Sequence, residues 1–152
     1  MGTIDSTKCF SEFMFYVVQL LNHAAKFSEK IFQFLVQRHK QIIDTNAQYS
    51  IIENIFQCYD NQYIFPNLVF LIDLFKSGDL ISNIYATSVK NNNKNIIQQL
   101  QQKGFKNNEN SVSLFHIAIN QNSESLVYLL YENGFNLFSK DNNSDIFLLI
   151  IQ

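Results

Sequence analysis

The sequence is short of turn-formers and of charge. Its 152 residues include one proline and four glycines. That is too few for the closely spaced tight turns of a sandwich or barrel, so helices are expected instead of strands. Charged side chains make up 16% of the chain and the formal net charge is −2. The eleven Lys and Arg residues are scattered singly, and no basic stripe exists to neutralise a row of phosphates, which argues against nucleic acid as a partner. The two cysteines, Cys9 and Cys58, are far apart and lack the paired spacing of a disulfide framework or a zinc site. This fits a reducing compartment, cytoplasmic or nuclear.

Long hydrophobic runs are missing as well. The apolar stretch from Phe13 to Leu21, flanked by Glu12, His23 and Lys26, is about half of the ~20 residues a membrane span needs. It has neither a basic leader nor a small-residue cleavage site, so a signal peptide is not expected.

What the chain does have is core material. It is 47% hydrophobic, with fifteen Phe and seven Tyr, too much for a disordered segment and enough for a globular core. Polarity comes mainly from Asn and Gln. Apolar residues at Phe10, Phe13, Met14, Val17, Val18, Leu21, Ala24 and Ala25, then at Ile31, Phe34 and Leu35, fall at spacings of three and four, the mark of amphipathic helices. Ser28 with Glu29 behind it predicts a second helix start. Ile51, Ile52, Ile55, Phe56 and Tyr59 repeat the spacing after a polar stretch. Pro66 before "NLVFLIDLF" predicts a helix over about 67–76 that opens at the proline and is ended by Gly78.

The second half repeats itself. Ser113, Leu114 and Phe115 align with Ile146, Phe147 and Leu148 at a displacement of 33, a period that marks stacked helical units. An earlier unit aligns at a displacement of 30: Ser88 and Val89 with Ala118 and Ile119, Ile96 and Ile97 with Leu126 and Val127, Leu100 with Leu130, Gly104 with Gly134. Each glycine follows a helix and precedes an aromatic residue, where a left-handed residue closes the helix and a Cβ is expected to clash. Ser123 is placed to accept hydrogen bonds at the start of the helix containing Leu126.

Residues about 80–152 resemble a divergent ankyrin-repeat family. Ser113, Leu114, Phe115, His116, Ile117 and Ala118 stand where that family has TPLHxA. Leu126, Val127, Leu129 and Leu130 match the core of its second helix, Glu132, Asn133 and Gly134 the end of that helix, and Lys140 to Asp145 the polar hairpin. In the earlier unit Ala86 stands where His116 does, and the hairpin is three residues shorter. The resemblance implies an all-α fold, a helical solenoid of two repeats (about 79–108 and 109–141) and a partial third (142–152). Residues 1–78 are expected to form a helical N-terminal extension that caps the array. In that arrangement the apolar stretch Ile146–Ile151 belongs to the first helix of an incomplete repeat and keeps one face bare.

The implied function is non-enzymatic: a protein–protein interaction module that grips a partner protein through hairpin tips and the concave side of the first helices. Carried over by position, the surface comprises Lys90, Asn91, Glu109, Asn110, Val112, Asn120, Gln121, Lys140, Asn142, Asn143 and Asp145. It is mostly amide, which favours recognition by hydrogen bonds and shape over charge. The alternative is a structural role, with Ile146–Ile151 pairing with another copy or with further repeats.

No catalytic, cofactor or metal site is expected. The resemblance makes His116 structural, and His23 and His39 have no ligand partner one turn on, so both are expected at the surface. Cys9 and Cys58 lack a basic neighbourhood and are expected as buried small hydrophobes. Asp60, Asp73 and Asp79 lack metal-loop spacing, and there is no glycine-rich phosphate loop. The opening "MGTIDS" fits the pattern for N-myristoylation of Gly2, although one acyl chain without a basic patch holds a membrane only weakly.

Overall fold

The computed structural model describes residues 6–58, 61–107 and 111–135. Among the described residues the chain is all-helical, with eight α-helices, one short 3-10 turn at Lys40–Ile42 and no strand. Gly2, Glu109, Asn110, Lys140, Asn142, Asn143, Asp145 and Ile146–Ile151, all singled out from sequence, lie outside the described residues. The chain divides into two compact units, Met1–Lys76 and Ser77–Gln152.

The N-terminal unit contains α1 (Ser6–Phe27), α2 (Glu29–Arg38), α3 (Thr45–Cys58) and α4 (Asn61–Phe75). Helix α1 packs on α2 and α3, and α4 packs on the same two, which closes a four-helix ring. Ser28 separates α1 from α2 as expected: its backbone is extended and its hydroxyl accepts from the N–H of Ile31 at 3.3 Å. Helix α3 begins before the first isoleucine, because the Asp44 carboxylate accepts from the N–H of Ala47 at 2.8 Å and draws the polar stretch Thr45–Ser50 into the helix.

Two sequence expectations are corrected in α4. Pro66 sits inside the helix, not at its start; its missing N–H forfeits a bond to the carbonyl four residues back, and one residue later the Asn67 side-chain amide donates to the Tyr63 carbonyl at 3.1 Å. Gly78 does not end the helix. Helix α4 stops at Phe75, Lys76 turns left-handed at φ 50, and Gly78 is the first residue of the next helix.

The orientation of α1 and α2 also departs from the simplest reading of their periodicity. Met14, Val17, Leu21 and Ala24 of α1 and Phe32 and Val36 of α2 are buried, whereas Phe13, Ile31 and Phe34 are exposed. Each helix carries more than one apolar stripe, and spacing alone does not say which faces inward.

The C-terminal unit contains α5 (Gly78–Lys90), α6 (Lys94–Gln102), α7 (Ser111–Asn120) and α8 (Glu124–Glu132). Helix α5 packs on α6, α7 on α8, and α5 on α7, so two helix pairs lie side by side through their first helices. All four helices end in the same way. Asn92, Gly104, Asn122 and Gly134 are left-handed, with φ of 52, 80, 53 and 81. Each donates to the carbonyl three residues back, and the next residue donates to the carbonyl five back: Asn93 to Ser88, Phe105 to Leu100, Ser123 to Ala118 and Phe135 to Leu130. This is the Schellman closure, and its residues recur at a displacement of 30 along the chain.

The requirement for glycine at 104 and 134 is the backbone angle alone. A Cβ at either position would meet nothing within 4 Å, which corrects the expected clash. Ser123 precedes α8, yet its side chain makes no capping bond and lies 3.5 Å from the Ser125 hydroxyl. Its counterpart Asn93 does cap α6, accepting from the N–H of Ile96 at 3.2 Å.

Candidate interaction surface

The C-terminal ends of α5 and α7 hold the described part of the surface read from the sequence. Lys90, Asn91, Asn120 and Gln121 are all exposed there, and Lys90 and Asn91 occupy the positions that Asn120 and Gln121 occupy 30 residues later. Val112 falls in the first turn of α7.

Bond by bond, the end of α5 is fully accounted for. The last four carbonyls of a helix have no intrahelical donor. Here Thr87 accepts from the N–H of Asn91 at 3.0 Å, Ser88 from Asn93 at 2.9 Å and Val89 from Asn92 at 3.0 Å. The fourth carbonyl, that of Lys90, accepts from the side-chain amide of Gln121. The structure thus brings Lys90 and Gln121 together and uses Gln121 as a strut between the two pairs, which the sequence reading did not foresee. Asn91 also turns inward, donating its amide to the Thr87 carbonyl at 2.8 Å. Lys90 and Asn120 are exposed, and among the described residues their side chains make no hydrogen bond.

A shallow groove of about 260 Å³ lies at the other end of the pairs, lined by Gln101, Lys106, Asn107, Asn133, Gly134 and Phe135. It is bounded by the closures of α6 and α8. The sequence reading assigned no contact role to this group. Isolated amides after a helix give no periodic signal, and only the fold shows that closures 30 residues apart share one groove.

Tyr85 lies behind this end of the unit. Its side chain is fully buried, its hydroxyl donates to the Phe105 carbonyl at 2.6 Å, and its ring meets that of Phe135 edge-on at 5.5 Å and 69°. Burial pushes the hydroxyl up from 10.0 to about 12, so at neutral pH it stays protonated and acts as a donor.

The residues weighed for chemistry are dispersed. His23 is exposed on α1, His39 is half-buried after α2 and His116 half-buried on α7. Cys9 is an exposed thiol, not a buried hydrophobe as expected from sequence. Among the described residues no group of three or more His, Cys, Asp or Glu side chains is placed to hold a metal ion, and no helix is long and apolar enough to cross a membrane. No family model, curated protein or solved structure matches the chain.

Proposed function

We propose that the chain is a non-enzymatic interaction module, a short array of ankyrin-like helix pairs that binds a partner protein through the exposed ends and open side of its first helices. The observation that carries this reading is the bridge from Gln121 to the Lys90 carbonyl. With the packing of α5 on α7, it holds two equivalent helices side by side and in register, as stacked repeats require. The recurrence of all four Schellman closures at a displacement of 30 supports the same reading.

Among the described residues the surface so formed is rich in amides and carries one cation, Lys90. Such a surface reads hydrogen-bonding groups and shape and offers little long-range steering, so the partner in this reading is a folded protein with a polar, weakly charged contact face, met in the cytosol or nucleus. The test uses the full chain, immobilised, with Lys90→Glu and Asn120→Arg introduced together and Gln121 left in place to keep the strut. Partners retained by the wild-type chain and lost at least tenfold by the variant, at equal helicity by circular dichroism, fit the reading. Equal retention by both chains would remove this surface from consideration.

A further inference from the structure

Helix α1 carries two apolar stripes, and the N-terminal unit uses only one. Met14, Val17, Leu21 and Ala24, at spacings of three, four and three, are buried. Phe13, Tyr16, Leu20, His23 and Phe27 follow the same alternation of three and four on a neighbouring face, and all are exposed; Cys9, one turn earlier, continues the line. Phe13 is 50% exposed, Tyr16 69%, Leu20 51% and Phe27 75%. Alternating spacings of three and four are those of the seam of a two-helix coiled coil, here with a histidine at one of its six positions.

The size and charge of this face bear on what could cover it. Helix α2, packed on α1, exposes Ile31 (54%) and Phe34 (62%) as well. At roughly 200 Å² per large side chain, the four exposed residues of the α1 stripe, Phe13, Tyr16, Leu20 and Phe27, by themselves present roughly 500 Å² of apolar surface. That lies in the upper part of the ~300–600 Å² range of the largest patch on a typical monomer, a patch that is often functional, and is more than half of the ~800 Å² per partner of a standard stable interface.

One flank of the seam, Val17 and Ala24, is already buried in the unit's own core. The open flank is Glu12, Gln19 and Lys26, one heptad apart and all exposed. It has opposite charges at its two ends and a neutral amide at its middle, so it is complementary to itself when reversed.

We propose that the chain forms a two-fold symmetric dimer through antiparallel pairing of α1 with α1 of a second copy. In that register Phe13 lies opposite His23 of the second copy, Tyr16 opposite Leu20, and Cys9 opposite Phe27, each contact occurring twice by symmetry. Glu12 faces Lys26 of the second copy on both sides of the axis, and Gln19 faces Gln19. A parallel pairing sets each flank residue against the residue five positions further on in the other copy, so that Glu12 meets Val17 and no ion pair forms. The charges therefore choose the antiparallel orientation. This proposal uses only α1 and α2 and is independent of the reading of the C-terminal unit.

The experiment is sedimentation velocity on the full chain at tens of micromolar, the range in which a micromolar dimer is well populated, with four variants. Wild type sediments as a dimer, and Leu20→Glu with Phe27→Glu sediments as a monomer of unchanged helicity. Glu12→Lys weakens the dimer about tenfold by placing lysine against lysine at both ends. Adding Lys26→Glu to Glu12→Lys restores wild-type association, a rescue that a folding defect cannot mimic. With Cys9→Ser and Cys58→Ser present, Gln19→Cys crosslinks under mild oxidation into a covalent dimer of otherwise unchanged sedimentation. A monomeric wild type, a dimer indifferent to Leu20→Glu with Phe27→Glu, failure of the charge-swap rescue, or a monomer that binds phospholipid vesicles through this face would each overturn the proposal.

Discussion

The Tyr85 hydroxyl donates to the backbone carbonyl of Phe105, 20 residues along the chain, at 2.6 Å. The bond ties the middle of α5 to the closure of α6, and the ring of the same tyrosine meets Phe135, which closes α8, edge to face. One buried side chain thus touches the equivalent closures of both helix pairs. The position 30 residues on is Phe115, also fully buried, so the equivalent site accepts an aromatic ring without the hydroxyl.

Tyr85→Phe is therefore expected to keep the fold and lose the bond. The Phe105 carbonyl is left without this donor, and the cost should be about 1–2 kcal/mol, read as a lower urea midpoint at unchanged slope. The pH dependence follows from burial. The folded-state pKa is raised to about 12 against 10.0 for a free tyrosine, so the unfolded chain ionises first as pH rises. The stability that depends on the protonated hydroxyl is complete below pH 10 and is lost between pH 10 and 12. The difference in stability between wild type and Tyr85→Phe should shrink over that interval; a difference constant with pH would show that the hydroxyl is not buried in solution.

Gln121→Ala removes the strut to the Lys90 carbonyl. Both groups are near water, which can take the place of the amide, so the expected loss is at the low end for a hydrogen bond, about 0.5–1 kcal/mol. Asn120→Ala, one residue earlier and exposed without a described hydrogen bond, should fall within about 0.5 kcal/mol of wild type. Urea melts of the two variants side by side separate a strut from an ordinary surface residue.

The four left-handed closures allow a paired comparison. Nothing lies within 4 Å of a Cβ built at Gly104 or Gly134, so Gly104→Ala tests the backbone angle by itself and should cost about 1 kcal/mol. At Asn92 and Asn122 a smaller left-handed angle, φ 52 and 53, is held by a residue with a Cβ. Asn92→Gly should therefore stabilise by a few tenths of a kcal/mol, and Asn92→Ala should destabilise by less than Gly104→Ala, the difference being those few tenths. Thermal melts of the three variants suffice.

Much of the helical character was legible because it rests on local rules. The break at Ser28 is a hydroxyl meeting a free N–H, and the glycines at 104 and 134 mark left-handed closures; each is visible within a few residues. Less legible was anything set by a choice between equal patterns. Phe13 and Met14 are adjacent, both apolar, and each heads a stripe with spacings of three and four; burial of Met14 follows from where α2 and α3 pack, which no window of α1 contains. The place of Pro66 within α4 is not legible because a proline at a helix start and one inside a helix differ only in the residues before it, and Gln62–Phe65 have no marked preference. The strut from Gln121 was not legible because its acceptor is a backbone carbonyl, and the pairing depends on the stacking of α5 on α7.

The two second helices differ at their starts in a way that substitution can exploit. Asn93 caps α6 through the N–H of Ile96 at 3.2 Å, whereas Ser123, in the same place before α8, makes no such bond. Asn93→Ala should then cost about 1 kcal/mol and Ser123→Ala only a few tenths, since only the first loses a cap. Ser123→Asp should stabilise the chain by about 0.5–1 kcal/mol, because a carboxylate accepts more strongly from the free N–H groups and favours the positive end of the helix dipole. The gain should be lost as pH falls through the carboxylate range, and a stabilisation of Ser123→Asp that persists when the aspartate is protonated would assign it to something other than the cap.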